Sequence, residues 1–169
     1  TPRNHRWQSR PRWGRGMETY GEDPFLTTKM GLAVVKGLQG DGTQKYDKAH
    51  ACAKHYAVHS GPEWNRHSYN AENISIRDLR ETYLPAFKAL VTEGKVKEVM
   101  CAYNRFEGEP CCSNKTLLIN ILKDEWGFDD VIVSDCGAIA DFYTKGRHET
   151  HVSAADASAD AVISGTDLE

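Results

Sequence analysis

The sequence predicts an α/β fold built on parallel strands, and three observations carry that expectation. Helix-like and strand-like signals alternate in units of about 35–40 residues, the pattern of repeated βαβ architecture. The clearest strand, Val131-Ile132-Val133, is a short β-branched run of the kind buried between layers of helices. Polar groups follow the strand-like runs where the chain would leave the sheet: Lys54-His55, Tyr103-Asn104 and Asp135. Functional groups of parallel sheets sit at those carboxyl ends.

The elements follow in chain order. Pro24 after Asp23 starts a helix over 24–39, with Leu26, Met30, Ala33, Val34 and Leu38 as its apolar stripe and Gly40 as its stop. Ala51–Tyr56 is too short to be assigned by periodicity alone. Ser75 and Asp78 form a capping-box-like start for a second helix, whose buried face is Leu79, Tyr83, Phe87, Leu90 and Val91. Pro85 should kink it, and Gly94 ends it. Val96–Tyr103 reads as a strand. Ser113 opens a further helix through Leu117, Leu118, Ile121 and Leu122, ending near Trp126-Gly127. The strand at 130–134 and a last helix at about 152–163 complete the pattern, before a strand-like end. A (β/α)8 barrel takes on the order of 250 residues, so 169 residues read as an incomplete one.

Composition narrows the function classes. The net charge of -3 shows no basic excess for a nucleic-acid partner. No apolar run approaches the roughly 20 residues that span a bilayer, and the basic N-terminus lacks the apolar segment of a signal peptide. The five cysteines form no CxxC pair, which argues against a zinc site. Cys101 could meet Cys111 or Cys112, and that pairing stays open; Cys52, Cys101 and Cys136 lie on apolar runs and read as small buried hydrophobes. His148-Glu149-Thr150-His151 is one residue short of the zincin spacing. No metal or organic cofactor is expected.

The three polar groups can converge on one pocket with the loop at 13–24, which carries Arg15, Glu18, Glu22 and Asp23 between glycines. A carboxylate among a lysine, an arginine and a histidine would stay ionised at neutral pH, as a nucleophile must. The same side chains can hydrogen-bond several sugar hydroxyls. Among the tryptophans at 7, 13, 64 and 126, Trp64 is the best placed to line a pocket, and Trp126 should close a helix end against the core.

Four motifs, WGRGMETYGEDP (13–24), KHYAVHSGPE (54–63), VMCAYNRFEGEPCC (99–112) and VSDCGAI (133–139), resemble glycoside hydrolase family 3, in that family's order. The resemblance covers nearly all of residues 11–169. It implies a retaining exo-β-glycosidase, a β-glucosidase or β-xylosidase, and a partial (β/α)8 TIM-barrel-like domain incomplete at both ends. By motif, Asp135 is the implied nucleophile; Arg15, Lys54 and His55 would grip the terminal sugar; Tyr103 would orient the nucleophile. The implied substrate is an oligosaccharide or aryl glycoside. A C-terminal domain outside these residues would supply the acid/base, so the fragment alone is expected to be inactive. The resemblance also favours a secreted or periplasmic location.

Two departures matter. Residues 1–12 lack the apolar alternation that family members show before Trp-Gly-Arg, consistent with a truncation or reading-frame artefact; residues 13–169 form the barrel-domain fragment. Cys136 stands where many glucosidases of the family carry Trp, and together with MCAYN…PCC it resembles the β-xylosidase branch. Two alternatives remain: a β-N-acetylglucosaminidase, although the Pro-Gly-His-Gly pattern is absent around His59, and a non-catalytic carbohydrate-binding fragment.

Overall fold

A computed structural model describes residues 15–40 and 42–169. The atypical segment 1–12, with Trp7, and also Trp13 lie outside the described residues.

Helix α1 (Pro24–Gln39) starts where the Asp23 carboxylate accepts the N–H groups of Phe25 and Leu26, with Pro24 at the first helical position. The face it buries is not the predicted one. Leu26, Met30, Val34 and Leu38 are 42–47% exposed, while Gly31, Leu32 and Val35 are buried. Gly31 explains the rotation: a Cβ there would stand 3.1 Å from Leu90 Cδ2, so the bare glycine admits the neighbouring helix at that point.

Strand β1 (Cys52–Tyr56) and the short β2 (Asn70–Ala71) come next. Ser75 caps α2 (Ile76–Asp78) by accepting the Asp78 N–H, as the capping pattern predicts. The expected kink at Pro85 takes the form of a break between segments. A widened π-helical turn, Leu79–Tyr83, brings the Leu84 N–H back to the Leu79 carbonyl at 2.9 Å. Pro85 then opens α3 (Pro85–Thr92), where its missing N–H leaves no bond unmade.

Beyond β3 (Glu98–Cys101), β4 (Arg105–Phe106) and β5 (Glu109–Pro110) form a hairpin whose turn residues, Glu107 and Gly108, both take positive φ. The next helical segment, Thr116–Glu125, is capped by Asn114 and not by the predicted Ser113. Asn114 Oδ1 accepts the Leu117 N–H at 2.9 Å, whereas Ser113 belongs to the tight turn Cys111–Ser113. Strand β6 (Val131–Ser134) and α4 (Ala154–Ile163), capped by Ser153, follow.

The main sheet is parallel, in the order β1-β3-β6, with Ala53 beside Val99 and Val99 beside Ile132. Leu168 pairs with Val133 in the same parallel sense. The order advances in one direction with the chain, as in a barrel wall; a doubly wound sheet would reverse it. Val99, Ile132, Leu84, Leu117, Leu118, Leu122 and Phe142 form the heart of the core, and Trp126 packs its ring edge-on to Tyr56, as expected.

Two of the cysteine expectations are corrected. Cys101 is bonded to Cys112, because the loop after β3 folds back until the two Cα atoms are 5.2 Å apart. Cys136 is exposed, since it follows β6 at the open end of the sheet. Cys111 is a buried thiol, and Cys52 is half-buried.

Candidate active site

Asp135 extends the ladder one residue past β6, its N–H donating to the Cys101 carbonyl at 3.2 Å. Gly137, at φ 69°, then turns the chain so that the Ala138 N–H reaches the Asp135 carbonyl. This fixes the carboxylate at the mouth of the sheet. Its Oδ1 accepts the Cys136 N–H at 2.8 Å. Its Oδ2 faces His55 Nε2 at 3.2 Å and Arg15 Nη1 at 3.6 Å. The imidazole approach is close but poorly aligned for a hydrogen bond, so Oδ2 has no in-line donor.

Burial alone would push the Asp135 carboxyl up. The nearby His55, the Cys136 N–H and Tyr103 outweigh it and hold the group well below the usual carboxylate range. Tyr103 moves the other way: burial, reinforced by the neighbouring Asp135, raises its phenol to about 12. The Tyr103 hydroxyl donates to the Cys136 carbonyl at 2.9 Å. At neutral pH the site therefore presents an ionised carboxylate beside a protonated phenol.

The loop before α1 brings in the cations. Arg15 donates from Nε and Nη2 to the two Glu18 oxygens at 3.0 and 2.9 Å, and Lys54 Nζ reaches Glu18 Oε2 at 3.1 Å. The Arg15 hydrogen bond, more than any other contact, lowers Glu18 to about 2. Of the five predicted site residues, Arg15, His55, Tyr103 and Asp135 gather around one carboxylate. Lys54, with its side chain 41% exposed, joins them only through Glu18.

A cavity of about 310 Å³ opens beside this group, touched by Arg15, Lys54, His55 and His59 at one end. The exposed side of α1, Val34 and Leu38, and the α3 residues Phe87 and Leu90 supply its apolar wall. Trp64 lines no part of it and is 86% exposed. His59 Nδ1 lies 3.1 Å from Asn104 Oδ1, and burial holds the ring near pKa 4, so it is neutral at pH 7. Among the described residues no three His, Cys, Asp or Glu side chains are grouped to hold a metal ion.

Some contributors had no local signal. Asp141 is fully buried, with Arg147 and His67 as its partners, and the His67 ring packs against Tyr103. His67 and Asp141 stand 74 positions apart, and neither falls in a periodic or motif-like setting.

Residues 8–169 match the glycosyl hydrolase family 3 N-terminal domain. The chain belongs to glycoside hydrolase family 3. A xylan 1,4-β-xylosidase of Xylanibacter ruminicola is 59% identical to this family 3 chain, over 94% of the chain and 18% of that protein. A β-D-xylosidase of Arabidopsis thaliana is 40% identical, over 94% of the chain and 20% of that protein. Among solved structures, a family 3 exo-β-xylosidase with a xylobiose aziridine probe superposes with a TM-score of 0.87 at 38% identity, covering 94% of the chain and 21% of that structure. A β-glucosidase from Listeria innocua with isofagomine gives 0.83, also at 38%, covering 94% and 22%. The family 3 chain thus spans about a fifth of the length of these relatives, and its fold is the corresponding part of their barrel-like domain.

Proposed function

We propose that the full-length protein is a retaining exo-β-glycosidase that releases terminal β-linked xylose or glucose, with Asp135 as its nucleophile. The observation that carries this reading is the Asp135 carboxylate at the end of β6, ionised and flanked by His55 and Arg15. Similarity to β-xylosidases, at 59% identity in one case, favours xylose, as does Cys136 beside the nucleophile.

In the first step an Asp135 oxygen attacks the anomeric carbon, and the bond to the leaving oxygen breaks. That oxygen takes a proton from a general acid, leaving a glycosyl ester on Asp135. In the second step the same acid, now a base, removes a proton from water. The water oxygen attacks the anomeric carbon and frees Asp135, so two inversions restore the β configuration. Retaining chemistry needs the second carboxyl about 5–5.5 Å from the first, and we assign it to the part of the protein outside these residues. Arg15, Lys54 and His55 hold sugar hydroxyls. Tyr103, held on the Cys136 carbonyl, orients the carboxylate next to it.

The test is covalent trapping. Full-length protein incubated with an activated 2-deoxy-2-fluoro-β-xyloside should carry one fluoroxylosyl ester, mapped to the Asp135 peptide by mass spectrometry. An ester on a different residue, or full activity in Asp135→Asn, would overturn the assignment.

A further inference from the structure

We propose that His67, anchored on Asp141, is a positioning residue that fixes the Tyr103 phenol against Asp135; this rests on the nucleophile reading above. The geometry is a clamp between two loops. His67 comes from the loop after β1 and Asp141 from the turn after β6, and His67 Nδ1 lies 2.7 Å from Asp141 Oδ2. Tyr103, from the loop after β3, packs against the His67 ring, with the two centroids 4.4 Å apart at 60°. The Arg66 guanidinium lies 5.5 Å from the centre of the same ring.

The hydrogen bonds set the orientation of the imidazole. Arg66 Nε has a proton to give and reaches His67 Nε2 at 3.2 Å, so that nitrogen accepts. The ring proton then sits on Nδ1 and is donated to Asp141. Asp141 already has Arg147 as a cationic partner, so a neutral imidazole suffices. Arg66 is in turn held by Glu63 at 2.6 Å. With both nitrogens committed, the His67 ring cannot swing away, and it forms one wall of the Tyr103 slot. The far end of that phenol donates to the Cys136 carbonyl, one residue from the nucleophile. A ring displaced by even an ångström would carry that donor, and the charge balance at Asp135, out of place.

The experiment uses the full-length protein with xylobiose and four variants: His67→Gln, His67→Asn, Tyr103→Phe and the Gln/Phe double variant. The Asn amide nitrogen reaches the Nδ1 position and can donate to Asp141, whereas that of Gln reaches the Nε2 position. His67→Gln should lower kcat about tenfold with KM within about twofold, and His67→Asn should recover to within about threefold of wild type. Once Tyr103 is Phe, His67→Gln should cost less than about twofold more, because the route to Asp135 is already cut. Losses that multiply in the double variant, no loss in Gln, or equal losses in Asn and Gln would overturn the proposal. Thermal midpoints are taken for each variant. If Gln does not fold, Phe, which keeps the ring and lacks the donor, replaces it at position 67. A fluoroxylosyl ester found on Asp135 together with indifferent His67 variants would remove this inference and leave the nucleophile standing. An ester found elsewhere would remove the nucleophile reading first.

Discussion

The Asp135 N–H donates to the carbonyl oxygen of Cys101, and Cys101 is itself bonded through sulfur to Cys112. The carboxylate and the disulfide therefore share one backbone step between β6 and β3. The Thr166 hydroxyl closes the arrangement from behind by donating to the Cys112 carbonyl at 2.7 Å. A cross-link this close to the site is expected to stabilise the wall on which the site is built.

Replacing Cys101 and Cys112 together by Ala should destabilise the domain by about 3 kcal/mol, the loop-closure value for a bridge of this separation. Urea unfolding of the full-length protein, followed by a probe within this domain, checks it. An unchanged midpoint would mean that the packing around β3 already constrains the loop.

Asp135→Asn should remove activity by about 10⁴-fold or more, the scale of losing a nucleophile. The fold should survive, since the backbone bonds to Cys101 and Ala138 do not use the side chain. The lowered pKa of Asp135 gives a second check. Asp135 stays ionised throughout the working range, so the acid limb of kcat/KM above about pH 4 should belong to a different group. Steady-state rates from pH 4 to 8 read this directly.

Glu18→Gln should raise KM about tenfold with a smaller change in kcat, because Arg15 and Lys54 would lose the anion that gathers them. Michaelis–Menten kinetics on an aryl β-xyloside decides it; a fall in kcat at constant KM would place Glu18 in the chemistry instead.

Stability should fall as the pH drops from about 6.5 towards 4. His59 and His148 are both held near pKa 4, chiefly by burial, below the usual 6.5. Between those values the unfolded chain binds protons that the folded one refuses. The stability is complete above the unfolded pKa and is lost as the pH falls towards the folded one. Each histidine contributes up to about 3 kcal/mol of this loss. Thermal midpoints of wild type and of a His59→Gln/His148→Gln variant test it: the variant should show a shallower fall, and parallel curves would contradict it.

The α/β class, the capping of α2 by Ser75 and the buried row Leu117, Leu118, Ile121 and Leu122 were all legible in the sequence, because each depends on residues within a few positions of one another. So was the placing of Tyr103 and Asp135 just past the ends of β3 and β6, since parallel strands deliver their carboxyl ends to one side; Lys54-His55, expected at a strand end, lies within β1 instead. The face of α1 was not. Periodicity marks the stripe Leu26, Met30, Ala33, Val34 and Leu38, whereas the buried face is set by where Leu90 of another helix meets Gly31.

Local order in the sequence therefore determined the class of fold, the Ser75 cap and the place of Asp135 after its strand. Contact between distant segments decided the rest: Cys101 with Cys112, Lys54 with Glu18, and His67 with Asp141. Distances between loops are set by the strands beneath them and leave no trace in the spacing of the loops' own residues.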